Sequence, residues 1–242
     1  MRVPLVFLPG MMCDARLFAP QIDALSGELP VMVAPLTLHD RFEDMASAFL
    51  SVAPPRFALA GLSMGGIVAM EILRRAPDRV SQIALMDTNP LPETPQKAAE
   101  REPQIVGARA GRLDEIMRDE LKPAYLAPGP GRVAVMEVVM AMARDLGPDV
   151  FVRQSRALQR RRDQQGTLRK CKVPALVLCG EHDTLCPVKR HRLMADLMPD
   201  AALCVVPDAG HLPTLEQPEA VTAALRDWLK RPLVLGAAFQ KV

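Results

Sequence analysis

No two of the five cysteines form a C-x-x-C pair. Cys13, Cys171, Cys179, Cys186 and Cys204 are scattered and odd in number, which points to reduced, mostly buried thiols in a cytosolic protein. Cys179 and Cys204 fall in apolar runs and are expected in the core. Neither sign of charge dominates, with 30 Lys and Arg against 28 Asp and Glu, so nothing marks nucleic acid or an acidic membrane surface as a partner. No apolar run approaches the roughly 20 residues of a membrane span. The opening "MRVPLVFLPG" meets Pro9-Gly10 too soon for a signal-peptide core, so a cytoplasmic location is expected. The stretch "LSMGGI" lacks the lysine of a P-loop and the spacing of a dinucleotide turn. No His/Cys/Asp cluster has metal-ligand spacing, and there is no internal repeat.

What remains is an ordinary globular composition, 49% apolar, in a chain long enough for one full core plus an inserted subdomain. Six short apolar runs read as buried strands: Val3–Leu8, Val31–Ala34, Phe57–Leu62, Ile83–Met86, Ala175–Cys179 and Ala202–Val206. Most are continuous rather than alternating, as in a parallel sheet covered on both faces. Amphipathic helical patterns at Leu17–Leu25, Phe42–Val52, Met64–Arg75, His191–Met198 and Ala220–Leu229 separate them, which predicts a doubly wound α/β fold. Between about Asn89 and Lys172 the rhythm breaks. "LDEIMRDELKPAYL", "RVAVMEVVMAMARDL" and "DVFVRQSRALQRRRDQQ" are helix-like, punctuated by Pro123, "PGPG", Gly147-Pro148 and Gly166. We read residues 1–90 and 170–242 as the core and 91–169 as a helical lid over the sheet's carboxyl edge, where open α/β sheets place their sites. The tail after Pro232 has no clear pattern.

"FALAGLSMGGIVAM" turns from strand to helix at a serine. Gly61-Leu62-Ser63-Met64-Gly65 fits G-x-S-x-G in the context that gives the motif meaning. Glycines are needed where strand and helix approach closely, and the helix N-terminus favours developing negative charge. A serine hydroxyl needs a base. Of the four histidines, His211 lies in a turn-rich loop after the last strand, and Asp183 follows the run Ala175–Cys179. The order Ser63, Asp183, His211 is that of the α/β-hydrolase triad.

On these segments, "GLSMGG", "GEHDTLCP" and "AGHLPTLEQP", the chain resembles an α/β-hydrolase-fold serine hydrolase of the small esterase-like branch with a helical lid. The resemblance covers residues 3–88 and 172–231. It implies Ser63 as nucleophile, Asp183 as acid and His211 as base. It also implies an oxyanion hole made by the backbone N–H groups of Met11, after "PG", and Met64, after the nucleophile. Pro9 stands where many relatives have histidine. The usual N-terminal hairpin is expected to be absent, leaving a six-stranded, all-parallel sheet in order 2-1-3-4-5-6, with Val31–Ala34 a bare edge.

Asp87 ends the fourth strand and is an alternative acid, or a turn residue before Pro90. His182 reads as a loop side chain, His191 as a residue on an exposed helix face, and His39 as a loop residue. Arg153, Arg156 and Arg160 can share a helix face, and Arg153 and Arg156 are candidates for binding an anionic substrate or acyl carrier. Met136 and Met140, with Met12 near the first strand, are candidates for an adaptable acyl pocket.

The expectation is a serine hydrolase acting on a small-molecule carboxylic ester without cofactor or metal, as monomer or homodimer. A serine at the elbow argues against the dehalogenases and epoxide hydrolases of this fold, which use aspartate there. Alternatives are a thioesterase, an acyl-carrier-protein methyl esterase of the pimeloyl type, a lactonase, a carbon–carbon hydrolase of ring-cleavage products, or a ligand-sensing protein on the same fold.

Overall fold

Alternation along each strand sorts the apolar side chains onto two cores. On β1 (Leu5–Leu8), Val6 and Leu8 pack on one side and Leu5 and Phe7 on the other. On β3 (Phe57–Leu62), Phe57 and Leu59 oppose Ala58, Ala60 and Leu62. Burial on both faces is why these runs are apolar throughout. The computed structural model describes residues 3–121 and 125–232. Pro123 and the tail beyond Pro232 lie outside the described residues.

β1, β2 (Val31–Val33), β3, β4 (Val80–Met86), β5 (Ala175–Gly180) and β6 (Ala201–Val206) form one parallel sheet in the order β2-β1-β3-β4-β5-β6, as the sequence predicts. The chain runs outward from β1 to β2 and then returns to the other side of β1. The crevice between the carboxyl ends of β1 and β3 is therefore a topological switch point. α1 (Ala19–Leu25) precedes β2, α2 (Phe42–Val52) precedes β3, and α3 (Met64–Arg75) precedes β4.

Between β4 and β5 the described chain is helical: α4 (Pro95–Arg109), α5 (Leu113–Glu115), a π-helical stretch over Ile116–Leu121, α6 (Arg132–Gln159) and α7 (Gln165–Arg169). α6 is kinked at Gly147, whose φ of 77° leaves the helical region just before Pro148. α6 feeds both cores, with Val139 and Met142 in one and Met140, Ala143 and Phe151 in the other. α8 (Val188–Leu197), α9 (Pro213–Glu216) and α10 (Pro218–Leu229) complete the chain. α2, α3 and α8 cover one face of the sheet, and α1 and α10 the other. No described helix is long and apolar enough to cross a membrane.

Two expectations need correction. β6 is the second edge of the sheet, so Leu203 and Val205 are partly exposed and Cys204 is only half-buried rather than core. His191 is fully buried, not on an exposed face. It stands three residues before Met194 and seven before Met198, on the stripe that α8 turns inward.

Candidate active site

Strain collects at the carboxyl ends of the strands. Met12 after β1, Ser63 after β3 and Asp87 after β4 all have positive φ, at 55°, 55° and 45°. Such backbone costs about 1–3 kcal/mol per residue and persists only where the surroundings over-determine it. At Ser63 they do. Its N–H donates to Met86 O at 2.8 Å, and its carbonyl accepts from Thr88 Oγ1 at 2.7 Å and Gly66 N at 3.0 Å. The flanking glycines are steric requirements: a Cβ on Gly65 would lie 1.9 Å from Leu8 O, and one on Gly61 would lie 2.4 Å from Gly65 O.

Ser63 Oγ lies 2.9 Å from His211 Nε2, and His211 Nδ1 lies 2.8 Å from Asp183 Oδ2. Facing a carboxylate, Nδ1 carries the proton, which leaves Nε2 to accept from the serine hydroxyl. A hydroxyl so placed can pass its proton to the imidazole as it attacks an electrophile. Asp183 is almost fully buried, and its Oδ1 accepts from the N–H groups of Leu185 and Cys186 at 2.8 and 2.9 Å. Burial raises its pKa. The His211 charge and hydrogen bond, together with the Cys186 N–H, outweigh that, so Asp183 titrates below its ordinary value.

The backbone of Met64 opens α3, before intrahelical bonding begins, and the Met11 N–H is bonded to no acceptor among the described residues. Met11, Ser63, Met64 and His211 line one cavity of about 190 Å³, with Ile67, Tyr125 and Leu158 among its apolar walls.

A family profile described as "Alpha/beta hydrolase family" matches residues 5–224. The chain belongs to the alpha/beta hydrolase family. A pimeloyl-[acyl-carrier protein] methyl ester esterase of Chromobacterium violaceum is 26% identical over 93% of both chains. One of Aromatoleum aromaticum is 27% identical over 76% of this chain and 78% of its own. A thermophilic esterase from Thermogutta terrifontis, solved with malate bound, superposes with a TM-score of 0.85 at 28% identity, over 94% of this chain and 89% of that one. The enol-lactonase of Burkholderia xenovorans, 22% identical, shares the fold with a TM-score of 0.83 over 96% of this chain and 92% of its own. The chain is an esterase-like member of that family.

Some sequence candidates lie away from the cavity. Arg153 Nε donates to Thr37 O at 2.8 Å, and Arg156 Nη1 pairs with Glu102 of α4 and Gln159, so each helps tie α6 to a neighbouring segment. Met140 is core, Met136 packs against it, and Met12 is fully buried. None of these five residues lines the cavity. The arginine that does is Arg161, with Arg101 from α4.

Two residues that support the site carried no signal in the sequence, and a third, Asp87, read there only as an alternative acid or a turn residue. Gln154 on α6, nearly fully buried, accepts the Met12 N–H through Oε1 at 2.8 Å and donates to Leu36 O at 2.9 Å. It thereby holds the loop that presents the Met11 N–H. Glu216 on α9 accepts backbone N–H groups from Gly210, Leu212 and Ala127. Asp87 is fully buried; its Oδ1 accepts from Gly180 N at 2.9 Å. Burial, and then the charge of Asp183, push the Asp87 carboxyl well above the usual range. Its Oδ2 has no hydrogen-bond partner among the described residues, an arrangement that disfavours the charged form.

His191 Nε2 accepts the Thr88 N–H at 3.1 Å, and burial holds its pKa down at about 4, so it is a neutral structural imidazole. The Cys186 thiol lines the cavity, but burial and the Asp183 charge raise its pKa well above the ordinary value, which makes it a poor nucleophile. Among the described residues, Asp183, Cys186 and His211 could together hold a metal ion, their ligand atoms lying within 4.8 Å. A metal there would take the atoms that orient the imidazole.

Proposed function

We propose that the protein hydrolyses carboxylic esters through an acyl-enzyme on Ser63. Ser63 Oγ attacks the acyl carbon while its proton moves to His211 Nε2, and Asp183 stabilises the resulting imidazolium. The N–H groups of Met11 and Met64 receive the oxyanion, each such donor contributing about 3 kcal/mol to the transition state. Collapse breaks the ester C–O bond, and the alcohol leaves with the proton from His211. Water then attacks the acyl-enzyme, giving its proton to His211, and the acid departs as Ser63 regains its hydrogen. The observation that carries this reading is the unbroken chain from Ser63 Oγ through His211 to Asp183, at 2.9 and 2.8 Å.

The helical block between β4 and β5 serves, in this reading, as the lid that walls the cavity. A cavity of about 190 Å³ is below the roughly 300–1,000 Å³ of sites for drug-sized ligands, which favours a short acyl group. The carrier-linked methyl ester named for two relatives is less well supported, because Arg156, Arg160 and Arg162 are already ion-paired to Glu102, Asp40 and Glu43. Five cysteines without a disulfide fit a reducing compartment, and we place the protein in the cytoplasm.

The test is hydrolysis of p-nitrophenyl esters from acetate to decanoate by the wild type, Ser63→Ala and His211→Ala. We expect short-chain turnover in the wild type and losses on the order of 10³-fold or more in both variants. A folded wild type inactive on every ester would overturn the reading.

A further inference from the structure

The cavity contains a charge cluster that ester hydrolysis as such does not use. Glu93, after β4, is 1% exposed at its side chain. Its Oε2 accepts from Nε and Nη2 of Arg101 at 3.2 and 3.1 Å, and its Oε1 accepts from Nη2 of Arg161 at 3.0 Å. Both arginines line the cavity that holds Ser63 and His211, along with Lys97 and Glu120. Three cations thus face two carboxylates, leaving one positive charge in excess. The Arg161 side chain is 11% exposed, and its Nε is buried with no hydrogen-bond partner among the described residues. Burial lowers its pKa despite Glu93 beside it. A buried cation is costly unless anions and hydrogen bonds satisfy it, and Glu93 engages only Nη2 of this guanidinium.

We propose that Arg161, supported by Arg101, binds a second carboxylate on the acyl part of the substrate, so that the preferred ester is a half-ester of a dicarboxylic acid. The inference rests on the ester-hydrolase reading above. A guanidinium fork matches a carboxylate, and a single excess charge matches a monoanion rather than a phosphate dianion. The acyl group is the part that stays on Ser63 through both steps, which suits a recognition pair held rigidly by Glu93. The sequence singled out Arg153 and Arg156 from this stretch, and neither lines the cavity.

The experiment compares kcat/KM for p-nitrophenyl hydrogen glutarate with that for its isosteric neutral counterpart, p-nitrophenyl 5-methylhexanoate. The wild type should prefer the glutarate at least tenfold, mainly through KM, and the preference should fall with added salt. Arg161→Met should lower the ratio at least tenfold. So should Glu93→Gln/Arg161→Met, which keeps the buried charge balanced if the single variant folds poorly. Equal turnover of both esters by the wild type, or an unchanged ratio in folded variants, would overturn the carboxylate subsite and leave the esterase reading standing. If no ester is cleaved, calorimetric titration with glutarate decides separately. Binding lost in Arg161→Met would retain the anion site without the esterase, and no binding would remove both. Tighter binding of inorganic phosphate than of glutarate would overturn the carboxylate assignment.

Discussion

The Glu216 carboxylate grips the main chain on both sides of His211. Gly210 N lies 3.0 Å from each of its oxygens, and Leu212 N lies 3.0 Å from Oε2. Oε1 also accepts the Ala127 N–H at 2.7 Å, which ties the histidine loop to the helical block. On the other side, the His211 N–H donates to Tyr125 O at 2.6 Å. The imidazole is therefore set in place through its backbone as well as through Asp183.

Glu216→Gln replaces one acceptor oxygen with an amide that cannot accept. Misplacing a catalytic group by about 1 Å can cost on the order of 10²-fold. We expect kcat to fall at least tenfold with KM little changed and the circular dichroism spectrum retained. Wild-type kcat in the folded variant would show that the clamp is not needed for positioning.

Gln154→Leu should remove the hydrogen bond to the Met12 N–H and the one to Leu36 O while keeping side-chain volume. Each lost partner leaves a buried backbone group unsatisfied, at about 1–3 kcal/mol. If the Met11 N–H receives the oxyanion as proposed, steady-state kinetics should show a drop in kcat of about tenfold or more, because the loop after β1 loses its brace, and the melting temperature should fall. A variant that loses stability but keeps kcat would separate the brace from the oxyanion function.

Asp87 should make the fold less stable as pH rises. Its pKa is raised in the folded state, so that state binds more protons than the unfolded chain once pH passes the unfolded value near 3.8. The stability it contributes is fully present below that value and is lost as pH climbs toward the folded pKa. Asp87→Asn keeps an acceptor for the Gly180 N–H but cannot ionise. Urea unfolding at pH 4 and pH 8 should show the variant gaining on the wild type at the higher pH. An equal difference at both pH values would mean that Asp87 is ionised in the folded state.

The sheet and the strand-to-helix turn at Ser63 were legible because they follow from local rules. Strands buried on both faces must be continuously apolar, and Gly65 must be glycine where its Cβ would meet Leu8 O at 1.9 Å. The kink at Gly147-Pro148 was visible as punctuation for the same reason. What could not be read depends on partners remote in the chain. His191 looks like a polar surface residue until its acceptor role toward the Thr88 N–H, 103 residues away, is seen. Gln154 reaches 142 residues back to Met12, and Arg161 differs from Arg160 only in which way the end of α6 happens to face.

The helical block contributes more than a cover. It supplies the carbonyl of Tyr125 to His211, the amide of Gln154 to the loop after β1, and Arg101 and Arg161 to the cavity. Activity therefore reports docking of that block as directly as it reports the chemistry. Because α6 also feeds both cores, undocking the block would open them, so on gradual heating turnover should be lost together with the core packing. Grafting a relative's block onto this sheet would transplant part of the catalytic alignment along with substrate choice.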